Sequence, residues 1–242
     1  MNRKPLTSSN FAIAQAQVVL FTPDEEISAA KLLKGLVVRW VDLFDADPLL
    51  LPAPDGAPRA LPRLILRSKT GDWRCQVSSE RLDVFWQRTG EAVPFPGLSK
   101  ALSLLQEYRT FLGARVARLA AVLTRFAPAE LPGLVLARHF CTQRWSTAPL
   151  NRPENFELHA HKRFMLGGRF MVNSWVRNKT ATASSGSAGE RSIVLVEQDL
   201  NTLAEDIASR DFSQDEIGAF FQAAESEFDT ILGLYYPSGE PS

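Results

Sequence analysis

Residues 11–21, FAIAQAQVVLF, end in Phe21-Thr22-Pro23; residues 115–126, RVARLAAVLTRF, end in Phe126-Ala127-Pro128. Both runs are apolar at odd and even positions alike, as in strands covered on both sides. Both meet a proline where a helix is expected to start, and Glu25 and Glu130 stand at similar positions behind those prolines. The echo extends outward. After each proline comes a helical pattern, then three short alternating segments, then a second helix. The chain therefore reads as α+β, an internally duplicated strand–helix–three strands–helix unit. Antiparallel sheets with helices packed on one face are expected, with one half over 1–114, the other over 115–242, and both in one body.

In the first copy, Thr22, Pro23 and Glu25 form a capping box that predicts a helix to about Phe44, with Leu32, Leu33, Leu36, Val37, Trp40, Leu43 and Phe44 as its apolar stripe. Pro48, Pro52, Pro54 and Pro58 make 45–61 a stiff loop. Leu64 to Leu66, Trp73 to Val77 and Leu82 to Trp86 are short strands. Leu98 to Leu112 is a helix stopped by Gly113.

In the second copy, a helix begins behind Pro128, is distorted by Pro132-Gly133 and ends by Thr142. Strands are expected over 154–164 and 169–182 around the Gly167-Gly168 turn. Residues 183–190, ASSGSAGE, read as a flexible hairpin loop. Ile193 to Val196 reads as a central strand and Asn201 to Ser209 as a short helix. The last helix has a capping box, Ser213 with Glu216, and a hydrophobic staple, Phe212 with Ile217. Its stripe from Ile217 to Tyr235 is core, and 237–242 read as a frayed tail.

Composition bounds the function classes. The chain has 242 residues with 27 basic and 27 acidic side chains, so it is no generic polyanion binder. No apolar run is long enough for a spanning helix. Two cysteines, Cys75 and Cys141, make no disulfide framework, and a cytoplasmic protein is expected. The charge is segregated: eight Lys or Arg against two acids from Arg138 to Lys179, then twelve acids against two Arg from Glu190 onward. These segments either face each other or leave a basic patch for an anionic partner.

No nucleophile elbow, phosphate-binding loop or dinucleotide fingerprint occurs. His159 and His161 share one side of a strand with Glu157, but the spacing to His139 and Cys141 fits no strong zinc pattern, and no metal or cofactor is expected. The remaining candidate is a surface. His159, His161, Arg163, Asn173, Trp175, Arg177 and Lys179 project outward, and Arg67, Lys69, Arg74 and Gln76 of the first copy are expected to join them. Such a surface suits a protein partner. A nucleic acid is the alternative partner, and a metal-dependent hydrolase centred on His159 and His161 is the alternative activity.

The element order resembles the duplicated fold of the TATA-box-binding protein in topology, with four strands per unit here against five there. The segments Ser68–Phe85 (SKTGDWRCQVSSERLDVF), 149–161 (PLNRPENFELHAH), Val172–Thr180 (VNSWVRNKT) and 197–205 (EQDLNTLAE) resemble a sporadically distributed, uncharacterised family of bacterial proteins of about this length. That resemblance implies a bacterial cytoplasmic protein and assigns no activity. From sequence, the chain is expected to be a non-enzymatic binding or regulatory module.

Overall fold

The computed structural model describes residues 5–24, 29–52, 54, 56–90, 92–142, 151–184 and 189–238. The expected partner Glu25, the Pro149 loop, most of the 183–190 hairpin tip and the end of the tail lie outside them. The fold is α+β, and its strands form one nine-stranded antiparallel sheet.

The elements are β1 (Ala12–Phe21), α1 (Ala29–Leu32, continued by a π turn over Leu33–Val37), β2 (Leu49–Leu50), β3 (Leu64–Arg67), β4 (Trp73–Val77), β5 (Arg81–Gln87) and α2 (Ser99–Leu112). They continue with β6 (Arg118–Pro128), α3 (Pro132–Phe140), β7 (Glu157–Leu166), β8 (Phe170–Ser184), β9 (Glu190–Thr202) and α4 (Gln214–Tyr235). The spatial order is β2-β3-β4-β5-β1-β6-β9-β8-β7. β1 and β6, the two runs that end in Phe-x-Pro, lie side by side at the centre. Their register runs from Ala12 opposite Phe126 to Phe21 opposite Arg118, with a bulge between Ile13 and Gln15.

Alternation along the strands divides side chains between two faces. Val18, Leu20, Cys75, Val84, Leu119, Ala121, Val172, Val176, Val196 and Leu200 are buried and belong to one hydrophobic core with Leu36, Leu105, Tyr108, Leu136, Phe220, Phe221 and Phe228 from the helical segments. Polar side chains inside this core hold α4 in place. Gln198, 1% exposed, donates from Nε2 to the Phe228 carbonyl (2.7 Å), and the Tyr236 hydroxyl donates to Asn178 Oδ1 (2.9 Å). Arg125, also buried, reaches the exposed carboxylate of Asp229. α4 itself starts as expected: Ser213 Oγ accepts from the Glu216 N–H and Glu216 Oε2 accepts from the Ser213 N–H. Both staple residues, Phe212 and Ile217, are buried.

Four expectations about elements are corrected. The 45–61 segment is not all loop, because Leu49–Leu50 pairs with β3 through Ile65 and Leu64. The first half thus has five strands, not four. The third helix begins at Pro132 and not behind Pro128: β6 continues through Pro128, which lies opposite Ile193, so Pro132 occupies the first helical turn, where a missing N–H costs nothing. Asn201 is not a helix start but part of β9; only Ala204–Asp206 forms a 3-10 turn. The segment 33–37 is wound as a π turn within the expected helix.

Gly133 lies where α3 meets the chain after residue 151. A Cβ there would come within 2.3 Å of the Pro153 carbonyl oxygen and 2.6 Å of the Glu154 carbonyl oxygen. Backbone cannot swing aside as a side-chain end can. Gly133→Ala is therefore expected to lower stability by about 2 kcal/mol, as overpacking of a close contact does, read as a shift of the urea midpoint at constant slope.

A polar sheet face as the candidate functional site

The face opposite the core carries rows of side chains that run straight across the sheet. One row reads Arg67, Arg74, Phe85, Gln17, Val122, Asp199, Trp175, His161, each opposite the next on the neighbouring strand. The adjacent row reads Ile65, Gln76, Asp83, Val19, Ala120, Asn201, Asn173, Arg163. Cross-strand neighbours at this spacing touch, so each row is a line of contacts.

All seven outward residues of the second copy fall on this face, at the β7–β8 end. They are joined in register: Lys179 opposite Glu157, Arg177 opposite His159, Trp175 opposite His161, and Asn173 opposite Arg163. The His161 ring stacks on Trp175 with centroids 4.3 Å apart and planes 23° apart. The Arg177 guanidinium lies 5.4 Å from the Trp175 ring and forms an ion pair with Glu197. Trp175 is thus half-buried and not fully exposed. Arg163 donates to Asn173 Oδ1 (3.0 Å) and pairs with Glu205 (2.8 Å). Asn173 Nδ2 donates to Asn201 Oδ1 (3.3 Å), which also accepts from Arg118 Nη2 (2.8 Å). Asn201 Nδ2 donates to Asp199 Oδ1 (2.9 Å). One connected polar network therefore spans β6, β9, β8 and β7.

Arg67, Arg74 and Gln76 share the face but not the patch. Five strand spacings separate β4 from β8, which is about 24 Å. Lys69 is not on the face at all; it sits in the turn after β3, 3.9 Å from Asp45. On the first-half side the Arg74 guanidinium lies 4.2 Å from the Phe85 ring, and Phe21 has Arg118 at 4.8 Å. Asp83, 2% exposed, accepts from Gln17 Nε2 and Arg81 Nε, both at 2.8 Å.

The segregated charges of the sequence meet one another. Arg163 with Glu205, Arg169 with Glu216 and Arg177 with Glu197 join the basic segment to the acidic one. His159 lies 3.4 Å from Glu157. His139 is elsewhere, its Nε2 at 2.7 Å from the Tyr235 carbonyl and its ring stacked on Tyr236. Among the described residues, no group of three or more His, Cys, Asp or Glu is placed to hold a metal ion. Cys75 is buried in the core, where desolvation pushes its thiol well above the ordinary range, against use as a nucleophile.

The sequence reading missed Arg118, Glu197, Asp199 and Asn201. The signal was present: Glu197, Asp199 and Asn201 alternate with Val196, Gln198 and Leu200, a strand pattern that continues past the apolar stretch. No protein-family model matches the chain, and a search of curated proteins finds no match. No described helix is long and apolar enough to cross a membrane.

Burial holds both Asp83 and Asp199 above the ordinary aspartate range, against the opposing pull of neighbouring Arg, Gln and Asn groups. The sign follows. Just above the unfolded pKa the native state binds more protons than the unfolded chain, so stability falls as pH rises toward the raised native value. Asp199→Asn keeps an acceptor for Asn201 and removes that titration. The variant's melting temperature is expected to fall less than the wild type's as pH rises from about 4 to 6.

Proposed function

We propose that the chain is a non-enzymatic binding or regulatory module that engages a protein partner through the β7–β8 end of its polar sheet face. The contact residues are Trp175, Arg177, Lys179, Asn173, Arg163, His159 and His161. The observation that carries this reading is the layered aromatic platform. His161 lies on Trp175, Arg177 lies beside it and pairs with Glu197, and His161 Nε2 lies 3.2 Å from Asn173 Oδ1 of the polar network. Preordered tryptophan and arginine side chains lose little entropy on binding and dominate many protein interfaces.

Charge pairing favours a protein over a nucleic acid. Arg163, Arg177 and Arg81 already have carboxylate partners on or beside the face. Phosphate contacts would have to compete with those partners. A nucleic-acid reading is favoured by one observation, the guanidinium–aromatic pairs at Phe85 and Trp175, which resemble the groups that stack on bases.

The same reading includes an internally duplicated unit with helices on one face, in a bacterial cytoplasmic protein. Two matching series of strand neighbours support the duplication, β1-β5-β4-β3 and β6-β9-β8-β7. The shared core supports the placement of the helices.

Trp175→Ala tests the proposal. Loss of the His161 stack is expected to cost about 1 kcal/mol of stability, well short of the roughly 3–5 kcal/mol of a packed core aromatic. Partner capture in nuclease-treated extract is expected to weaken by about 2 kcal/mol, or roughly thirtyfold. Unchanged capture, or a core-sized loss of stability, overturns this surface as the site. Capture that disappears on nuclease treatment transfers the reading to nucleic acid.

A further inference from the structure

Hydrogen bonds on the polar face have a direction, and the direction can be followed from residue to residue. An asparagine amide accepts at one end and donates at the other, so its orientation is fixed only by neighbours that can do one of these and not both. Asn201 has two such neighbours. Arg118 can only donate, and its Nη2 lies 2.8 Å from Asn201 Oδ1. The Asp199 carboxylate accepts, and its Oδ1 lies 2.9 Å from Asn201 Nδ2. Asn201 therefore has one orientation.

Asn201 passes that orientation on. Its Oδ1 accepts from Asn173 Nδ2 (3.3 Å), which leaves Asn173 Oδ1 turned towards β7. Arg163 confirms the assignment independently: its Nε can only donate, and it lies 3.0 Å from Asn173 Oδ1. His161 Nε2 lies 3.2 Å from the same oxygen. An amide oxygen cannot donate, so Nε2 carries the proton. In a neutral imidazole the other ring nitrogen is then an acceptor. Nδ1 has no partner among the described residues, and His161 is exposed.

The stack on Trp175 does not select this state by itself. A half-turn of the imidazole about Cβ–Cγ would keep the ring planes together and present carbon to Asn173. The stack therefore holds the plane of the ring, and the hydrogen bond to Asn173 selects between its two settings.

We propose that Asn173 and Asn201 are positioning residues that hold His161 as its Nε2–H tautomer, so that the aromatic platform offers the Nδ1 lone pair to a partner group that brings an N–H or O–H donor. This rests on the protein-binding reading above and gives the contact a polarity: a partner group that can only accept finds no donor at Nδ1.

The tautomer is read from two-bond proton–nitrogen correlation spectra of nitrogen-15-labelled full-length protein at about pH 8.5, above the range in which histidine titrates. The chain has three histidines, so the His161 signals are assigned by their loss in His161→Gln. In the wild type, Nε2 is expected at a pyrrole-type shift and Nδ1 at a pyridine-type shift. Asn173→Leu removes the acceptor, and the two nitrogen shifts should move towards the averaged values of free histidine. Asn173→Asp keeps an oxygen towards His161 and should restore the separation. The probe for the lone pair is N-acetyltyrosinamide, whose hydroxyl donor sits on a ring able to lie against the platform. It should move the Nδ1 resonance and bind about fivefold more tightly than its O-methyl ether, the worth of one neutral hydrogen bond.

A wild-type Nδ1–H tautomer overturns the proposal. So does an unchanged separation in Asn173→Leu, or a separation that Asn173→Asp fails to restore, because both would leave Asn173 a merely structural role. An Nδ1 resonance that ignores the phenol, or that answers the O-methyl ether equally, overturns the acceptor role. The tautomer is measured on the free protein and the Trp175→Ala capture on the complex, so failure of the tautomer and failure of the platform are distinguishable.

Discussion

The pairing of β1 with β6 is the constraint on which the rest of the structure depends. Without it the strands would form two sheets of five and four, each with a further exposed edge. With it, the two rows described on the polar face run unbroken across the sheet through the central pairs Gln17 with Val122 and Val19 with Ala120. Small residues allow the central strands to be covered closely. Ala16 and Ala121 are buried on the core side, and Ala120 lies opposite Val19 on the other. Long side chains at these positions would push packed helices away from one face or break the rows on the other. The run FAIAQAQVVLF is thus central because it can be covered, and Gln15 and Gln17 within it supply polar groups to the face that water reaches.

Polar residues in the second half do two different tasks, separated by strand alternation. Asn178, Gln198 and Arg125 point into the core and bind the C-terminal part of α4 and the residue after it. Asn173, Asp199 and Asn201 point the other way and order the surface. Buried polar groups of the first kind stabilise little on net but penalise any other placement of the helix, because each would lose its partner. The second kind restricts rotamers at the surface: His161, stacked on Trp175, also has its Nε2 3.2 Å from Asn173 Oδ1.

Much of this was legible because it follows from local rules. The capping box at Ser213, the Gly113 stop, with φ of 68°, and the alternation of β4 and β8 need only neighbours in sequence. The outward set on β7 and β8 was legible for the same reason: a period of two assigns faces without a structure. What was hidden depends on pairing. Leu49–Leu50 becomes a strand only because β3 offers it an edge, and nothing inside 45–61 announces that. Pro128 looks like a helix start, yet the β6 ladder extends over it to Ile193. Asn201 looks like a helix cap, yet Ala120 and Asn173 lie opposite it in the sheet. In each case a long-range partner overrides a local preference.

The same distinction explains why the candidate surface is smaller than the sequence suggested. Alternation places Arg74 and Arg177 on one face, but only strand order gives the distance between them, and strand order is not a local property. Five intervening spacings, about 24 Å, make them two sites. Each guanidinium then acquires its own environment: Arg74 over Phe85 and near Asp83, Arg177 beside Trp175 and paired with Glu197. Only the second lies next to a long strand edge. The His161–Trp175 stack spans β7 and β8, the last two strands at that end of the sheet.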